Sequence, residues 1–183
     1  MTSYPTHLSE TWQARNGEAV EIRAIRPADA AIEQEFVRGL SAESKYLRFL
    51  DTMRELSPQL LKRFTDIDYS REMALIAVHF EAAHGTHEET QVGVARYVTN
   101  RDSRSCEFAV VVADAWQRQG LGSKLVQKLL ECARAAGLET IEGQVLADNH
   151  RMLEMTKRLG FRAEIDPQDA SLRRVWRRLA ADA

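Results

Sequence analysis

Val110-Val-Val-Ala-Asp-Ala-Trp-Gln117-Arg-Gln-Gly120-Leu-Gly122-Ser-Lys-Leu-Val126 is the stretch that decides the fold. Its beginning lies inside Glu107–Ala113, whose core Phe-Ala-Val-Val-Val-Ala is apolar at every position. Such a run predicts a strand covered on both faces. Its end opens a helix from about Gly120 to Ala136, where Leu121, Leu125, Val126, Leu129, Leu130 and Ala133 recur on one stripe. Gly137 supplies the stop. A helix start leaves backbone N–H groups without acceptors and places them at the positive end of the helix dipole. Glycines let a phosphate come close to that backbone. Gln117 and Arg118 can add side-chain donors, and a pyrophosphate is a natural guest. Two phosphate motifs are excluded. The dinucleotide fingerprint needs a third glycine where Leu125 stands, and a P-loop needs Gly-Lys-Ser/Thr where the order is Gly122-Ser123-Lys124. An isolated Gly-x-Gly also serves as nothing more than a tight turn.

Outward from this stretch the chain alternates. Asn16-Gly17 predicts a hairpin turn between Thr11–Arg15 and Glu18–Ile25. Pro27-Ala-Asp29 opens a helix carrying Ile32, Phe36, Val37 and Leu40. Ala42–Leu50 reads as a second helix, and a third starts at Ser57-Pro58 with Ser57 as N-cap. Met73–Phe80 and Gln91–Thr99 read as strands joined by the polar loop Glu81–Thr90. Downstream, Thr140–Ala147 is a strand, Asn149 starts a helix that Gly160 ends, and Phe161–Ile165 and Leu172–Leu179 are two last strands. The fold class is therefore α/β, a mixed sheet with helices on both faces. Residues 1–11 are polar and aperiodic, a candidate disordered segment, and 12–183 form one domain.

Composition narrows the function. With 25 basic and 27 acidic residues the net charge is -2, which argues against broad nucleic-acid binding. The dense basic patch is Arg173, Arg174, Arg177 and Arg178, which in a strand would blunt a sheet edge. Two cysteines, Cys106 and Cys132, are too few for a disulfide framework and fit a reducing compartment. With neither a signal peptide nor an apolar run able to cross a bilayer, a cytoplasmic location is expected and no membrane partner. His79, His84 and His87 cluster near acidic residues, but their spacing matches no metal site, and no metal is expected.

The run Gln117-x-x-Gly120-x-Gly122 after a valine strand resembles the coenzyme A signature of the GNAT acetyltransferase superfamily. Val145-Leu-Ala-Asp-Asn149, Lys157-Arg-Leu-Gly160-Phe161 and Arg26-Pro27-x-Asp29 resemble its second core strand, its helix end and its first-helix entry. Tyr4-Pro-x-His-Leu8, Ile25-Arg-Pro-Ala-Asp-Ala30, Glu43-Ser-Lys-Tyr-Leu-Arg-Phe49, Arg54-Glu-Leu-Ser-Pro58 and Asp68-Tyr-Ser-Arg-Glu-Met-Ala74 are similar to the acetyltransferase domain of bacterial Pat-type protein lysine acetyltransferases. In that family the domain often follows a large acyl-CoA-synthetase-like region, which these 183 residues do not contain.

The resemblance implies a mostly antiparallel GNAT sheet with a splayed central strand pair, and acetyl-CoA as cosubstrate. Val110, Val111 and Val112 would pair with the pantetheine arm through their backbone, and the loop of Arg118, Gln119, Gly120, Leu121, Gly122 and Ser123, with Gln117, would take the pyrophosphate. Asn149 would contact the coenzyme arm. A backbone N–H at Val111 or Val112 would stabilise the oxyanion. A lysine with a pKa of roughly 10.4 must lose its proton before attack, and Glu107 is the candidate base, as a glutamate is in Pat-type enzymes. Some relatives place a glutamate where this chain has Gln144, and a tyrosine acid where it has Thr156. The implied acceptor is an amine, with a protein lysine on a metabolic enzyme as the leading class. A small-molecule amine is the alternative, and a non-catalytic acyl-CoA-sensing module is a third reading. Tyr46, Arg48 and Phe49 fall in the helical region that lines the acceptor site in such proteins.

Overall fold

The computed structural model describes residues 4–50, 53–83 and 86–179. The strands are β1 (Glu10–Gln13), β2 (Ala19–Ala24), β3 (Glu72–Ala83), β4 (Thr86–Thr99), β5 (Ser105–Val112), β6 (Thr140–Leu146), β7 (Arg162–Ile165) and β8 (Leu172–Arg178). They form one sheet in the order β1-β2-β3-β4-β5-β6-β8-β7. Every neighbouring pair is antiparallel except β5 and β6, which are parallel. The helices are α1 (Ala30–Gly39), α2 (Ala42–Phe49), α3 (Pro58–Thr65), α4 (Leu121–Ala135) and α5 (His150–Arg158).

Local sequence explains most of these boundaries. Gly17 takes the left-handed φ of +88° that its turn requires. Ser41 caps α2 by accepting from Ser44 N–H, and Ser57 caps α3 by accepting from Leu60 N–H. Gly137 and Gly160, both at positive φ, close α4 and α5. Helices cover both faces of the sheet. Leu121, Leu125 and Leu129 of α4 are fully buried against Leu75, Ala95, Ile141 and Val175. On the opposite face Phe36, Val37 and Leu56 pack on Ile76, Val78 and Val94. Complete burial of a leucine stabilises by roughly 1.5–3 kcal/mol, so α4 is fastened mainly through that stripe.

The N-terminus is tied to the sheet. Thr6–Leu8 form a 3-10 turn, and Tyr4 Oη donates to Ala24 O at 2.7 Å. Tyr69 Oη donates to the next carbonyl, Ile25 O, and the two rings meet edge to face. Asp29, almost fully buried, pairs bidentately with Arg23 at 2.7 and 2.8 Å and accepts from Arg26 N–H. The Tyr4, Tyr69 and Asp29 phrases of the sequence are thus seams between the N-terminal strands, the first helix and β3.

Two expectations are corrected. The polar stretch Glu81–Thr90 is not all loop: β3 and β4 stay in register through Glu81↔Glu88, Ala82↔His87 and Ala83↔Thr86. A two-stranded ribbon beyond the helix-covered part of the sheet needs no apolar face, so composition hides it. His84 of the histidine cluster lies outside the described residues. The C-terminal arginines do not blunt an edge, because β8 lies between β6 and β7. Arg174 is instead neutralised by Glu142 at 2.6 Å and Glu164 at 2.9 Å. Arg177 donates to Leu159 O at the end of α5.

Candidate active site

The central strands part. β5 and β6 are in register only at Ser105↔Thr140, Cys106↔Ile141 and Glu107↔Glu142, although β5 continues to Val112 and β6 to Leu146. Phe108 fills the fork: a Cβ on Gly143 would stand 3.0 Å from both its ring and its carbonyl oxygen. β5 keeps its pairing with β4 throughout, so its other side has no strand partner beyond the fork. Alternation decides which groups face that gap. Ala113 N–H donates to Val92 O on β4, while Arg104 O accepts from β6-side amides of Glu139 and Thr140. Odd-numbered residues therefore point their backbone at β4, and Val110 and Val112 point theirs into the gap. The backbone of Val111 is engaged with β4 and its side chain is buried in the core cluster that holds Phe36 and Val37. Of the two residues expected to offer an N–H, Val111 or Val112, Val112 is the one whose N–H points into the gap.

The gap ends on the glycine loop. Gly120 adopts φ +89° and no side chain caps α4, while the first helical bond runs from Lys124 N–H to Gly120 O. The N–H groups of Leu121, Gly122 and Ser123 are left for a ligand. Gly122 lets the helix start sit close to α5 and β5, its Cβ position being 3.4 Å from Met155 Sδ and 3.6 Å from Val112 Cγ2. Arg118 is exposed at φ +62°.

Gln117 is turned inward. Its amide donates to Ser44 Oγ at 3.1 Å and Val112 O at 3.3 Å, and its oxygen accepts from Arg151 at 3.5 Å. Asp114 adds to this joint, accepting from Ser41 N–H and from the hydroxyls of Ser41 and Ser44. Burial pushes the Asp114 carboxyl up, but those hydrogen bonds outweigh it and hold the group below the ordinary carboxylate value. Asn149 caps α5, accepting from Met152 N–H at 3.1 Å. Its amide nitrogen has no partner among the described residues.

Glu107 is exposed at the fork, on the α1–α3 face. Among the described residues its carboxylate makes no ion pair or hydrogen bond, whereas Glu142 beside it is held by Arg174 and by Asn100 at 3.0 Å. Arg48 of α2 is close enough to feel Glu107. Burial, then the charge of Arg96, pushes the Arg48 pKa down to about 10, with Glu33 and Glu107 opposing. Phe49 stacks on Phe64, over which the Arg96 guanidinium sits at 4.0 Å. Tyr46 and Val98 are exposed nearby in sequence and register. Gln144 is exposed past the fork and donates to Asp166. Thr156 is buried and bonds back to Leu153 O, so it offers no proton to the gap. His79 contacts Glu18 and the Trp116 ring. Among the described residues no group of His, Cys, Asp and Glu could hold a metal.

Sequence reasoning missed two residues. Trp12 and Arg15 of the β1–β2 hairpin lie against the loop, near the Gly120 Cα. The contact is long-range, and no local pattern announces it.

The model of the Acetyltransferase (GNAT) family matches residues 48–161, which include the whole fork and loop. The chain belongs to the GNAT acetyltransferase family. This GNAT chain is 35% identical to an acetyltransferase of Pseudomonas aeruginosa over 165 residues, 90% of this chain and 86% of that protein. It is 29% identical to the acetyltransferase Pat of Mycolicibacterium smegmatis over 149 residues, spanning 81% of this chain but 43% of that longer protein. Its fold matches the GNAT domain of S. lividans Pat with a TM-score of 0.83 at 25% identity, covering 96% of this chain and 99% of that domain. The family fold accounts for the forked sheet. Among the described residues no helix is long and apolar enough to cross a membrane.

Proposed function

We propose that this GNAT protein transfers the acetyl group of acetyl-CoA to the side-chain amine of a lysine on a folded protein. The observation that carries the reading is the Glu107 carboxylate, unpaired among the described residues, at the point where β5 and β6 separate, on the strand that leads on to the glycine loop. The groups present suit the coenzyme. Three free amides at the start of α4 meet a diphosphate, Val110 offers strand-like hydrogen bonds to pantetheine amides, and Asn149 has an amide to spare. Gln117 supports the loop from behind.

Bound acetyl-CoA supplies an activated thioester. Val112 N–H is the donor available to charge developing on the acyl oxygen. Glu107 takes a proton from the approaching ammonium, directly or through a water. Exposure of Glu107, Tyr46 and Val98 leaves the acceptor side open, which suits an amine carried by a macromolecule. Likeness to the Pat domains supports the lysine assignment. Buried free thiols at Cys106 and Cys132 suit the reducing cytoplasm.

The test measures thiol release from acetyl-CoA with metabolic enzymes and with free small amines as acceptors, followed by mass spectrometry of the proteins. Lysine acetylation well above the non-enzymatic background is expected. Acetyl-CoA should bind with micromolar affinity, about -8 kcal/mol, and Gly120→Glu should abolish binding. Unchanged affinity in a folded Gly120→Glu variant would overturn the coenzyme site. Fast turnover of a small amine with lysines at background would overturn the acceptor.

A further inference from the structure

We infer that Arg15, on the β1–β2 turn, is a phosphate ligand of the coenzyme site, contributed from outside the glycine loop. The inference rests on the coenzyme reading above. The turn is docked on the loop: Arg15 N–H donates to Gln119 O at 3.2 Å. Its position is set locally, by Gly17 N–H to Ala14 O and Ala14 N–H to Glu18 O. At Gly120 a Cβ would lie 3.6 Å from the Trp12 ring and 3.7 Å from Arg15 Nε, so the guanidinium stands beside the loop at its left-handed glycine.

Among the described residues Arg118 of the loop and Arg15 from outside it are the cations here without a partner. The loop's own lysine, Lys124, is held by Glu10 at 2.8 Å, and Glu10 also holds Lys128 at 3.2 Å. Arg151 reaches Gln117. The hairpin that occupies Lys124 thus brings a replacement cation. Arg15 is exposed, and among the described residues its guanidinium has neither an ion pair nor a hydrogen bond. Free amides at a helix start satisfy one side of a diphosphate. A guanidinium adds a charged, two-pronged donor for another phosphate oxygen. Coenzyme A offers two such groups, its diphosphate and its 3′-phosphate.

Calorimetry with acetyl-CoA and with its 3′-dephospho analogue, on the full chain, tests this. Arg15→Gln should weaken acetyl-CoA about tenfold, as expected for one charge-assisted contact in a partly solvated site. Arg15→Lys should recover part of the loss. Arg101→Gln, an exposed change in the β4–β5 turn at the far end of β5, should have no effect. A loss retained with the dephospho analogue assigns Arg15 to the diphosphate; a loss that disappears assigns it to the 3′-phosphate. Wild-type affinity of Arg15→Gln for both ligands overturns the inference while leaving the coenzyme site intact. So does an equal loss in Arg101→Gln. Failure of the unaltered protein to bind acetyl-CoA overturns the coenzyme reading itself. Unfolding curves of each variant separate a binding loss from a folding defect.

Discussion

Glu107 of β5 and Glu142 of β6 are register partners in the last pair before the two strands diverge. Two free carboxylates on neighbouring strands repel. Here Arg174 and Asn100 take up Glu142, which leaves Glu107 as the carboxylate of this pair without a partner among the described residues. The division of labour follows from β8 lying next to β6, since Arg174 sits opposite Gln144 and reaches back to Glu142.

Glu107→Gln keeps the shape and removes the proton acceptor. The acetylation rate with a protonated amine should fall roughly 10²-fold or more, the usual scale of general-base catalysis. Acetyl-CoA affinity by calorimetry should stay unchanged. A rate equal to wild type across pH 6 to 9 would show that Glu107 is an ordinary surface acid.

Gly143→Ala should destabilise the fold by about 1–3 kcal/mol, the range for forcing atoms into a packed site. The added methyl meets Phe108 at 3.0 Å on both its ring and its backbone, and only the ring can turn away. The shift of the urea midpoint measures the cost. A stability equal to wild type would mean that the fork is looser than its contacts indicate.

Asp114 links the end of β5 to α2, and its pKa is held below the ordinary 3.8. A depressed carboxylate stabilises the fold above its unfolded-state value and loses that contribution as pH falls through the folded-state value. Asp114→Ala should therefore cost up to about 1 kcal/mol at pH 7, a small figure because the group is largely exposed. The difference from wild type should narrow below pH 3.8. Urea titrations at several pH values read this directly, and a gap that widens in acid would contradict the assignment.

Burial raises the thiol of Cys106 to about 12 and that of Cys132 to about 11. Neither should react with a disulfide reagent in the folded protein at pH 8, because the thiolate is the reactive form. Both should titrate at once in denaturant. Rapid labelling of either in the native state would place that thiol nearer the surface than its packing implies.

Much of the coenzyme side was legible because its signals are local. The valine strand, the Gly120 and Gly122 turn, the Ser57 and Asn149 caps and the Gly137 stop each depend on residues a few positions apart. What stayed hidden depends on pairing across the chain. Insertion of β8 between β6 and β7 gave Arg174 and Arg177 partners that no neighbouring residue foretells. Val111 and Val112 look alike in sequence, and only the register with β4 tells which one faces the gap. Gln117 is typical of the motif, yet its amide is spent on Ser44 and Val112.

Beyond Glu107, β5 behaves as a sheet border that happens to lie in the molecular interior. Its backbone row at Val110 and Val112, without a strand partner and touched only by the Gln117 amide at Val112 O, is a template for an extended chain. An amide-bearing pantetheine arm can occupy it as a surrogate strand, in the manner of a peptide added to an open sheet. The same opening would admit a strand from another polypeptide. The coenzyme-free protein is then the form most exposed to strand exchange and aggregation, and saturating coenzyme should protect against both.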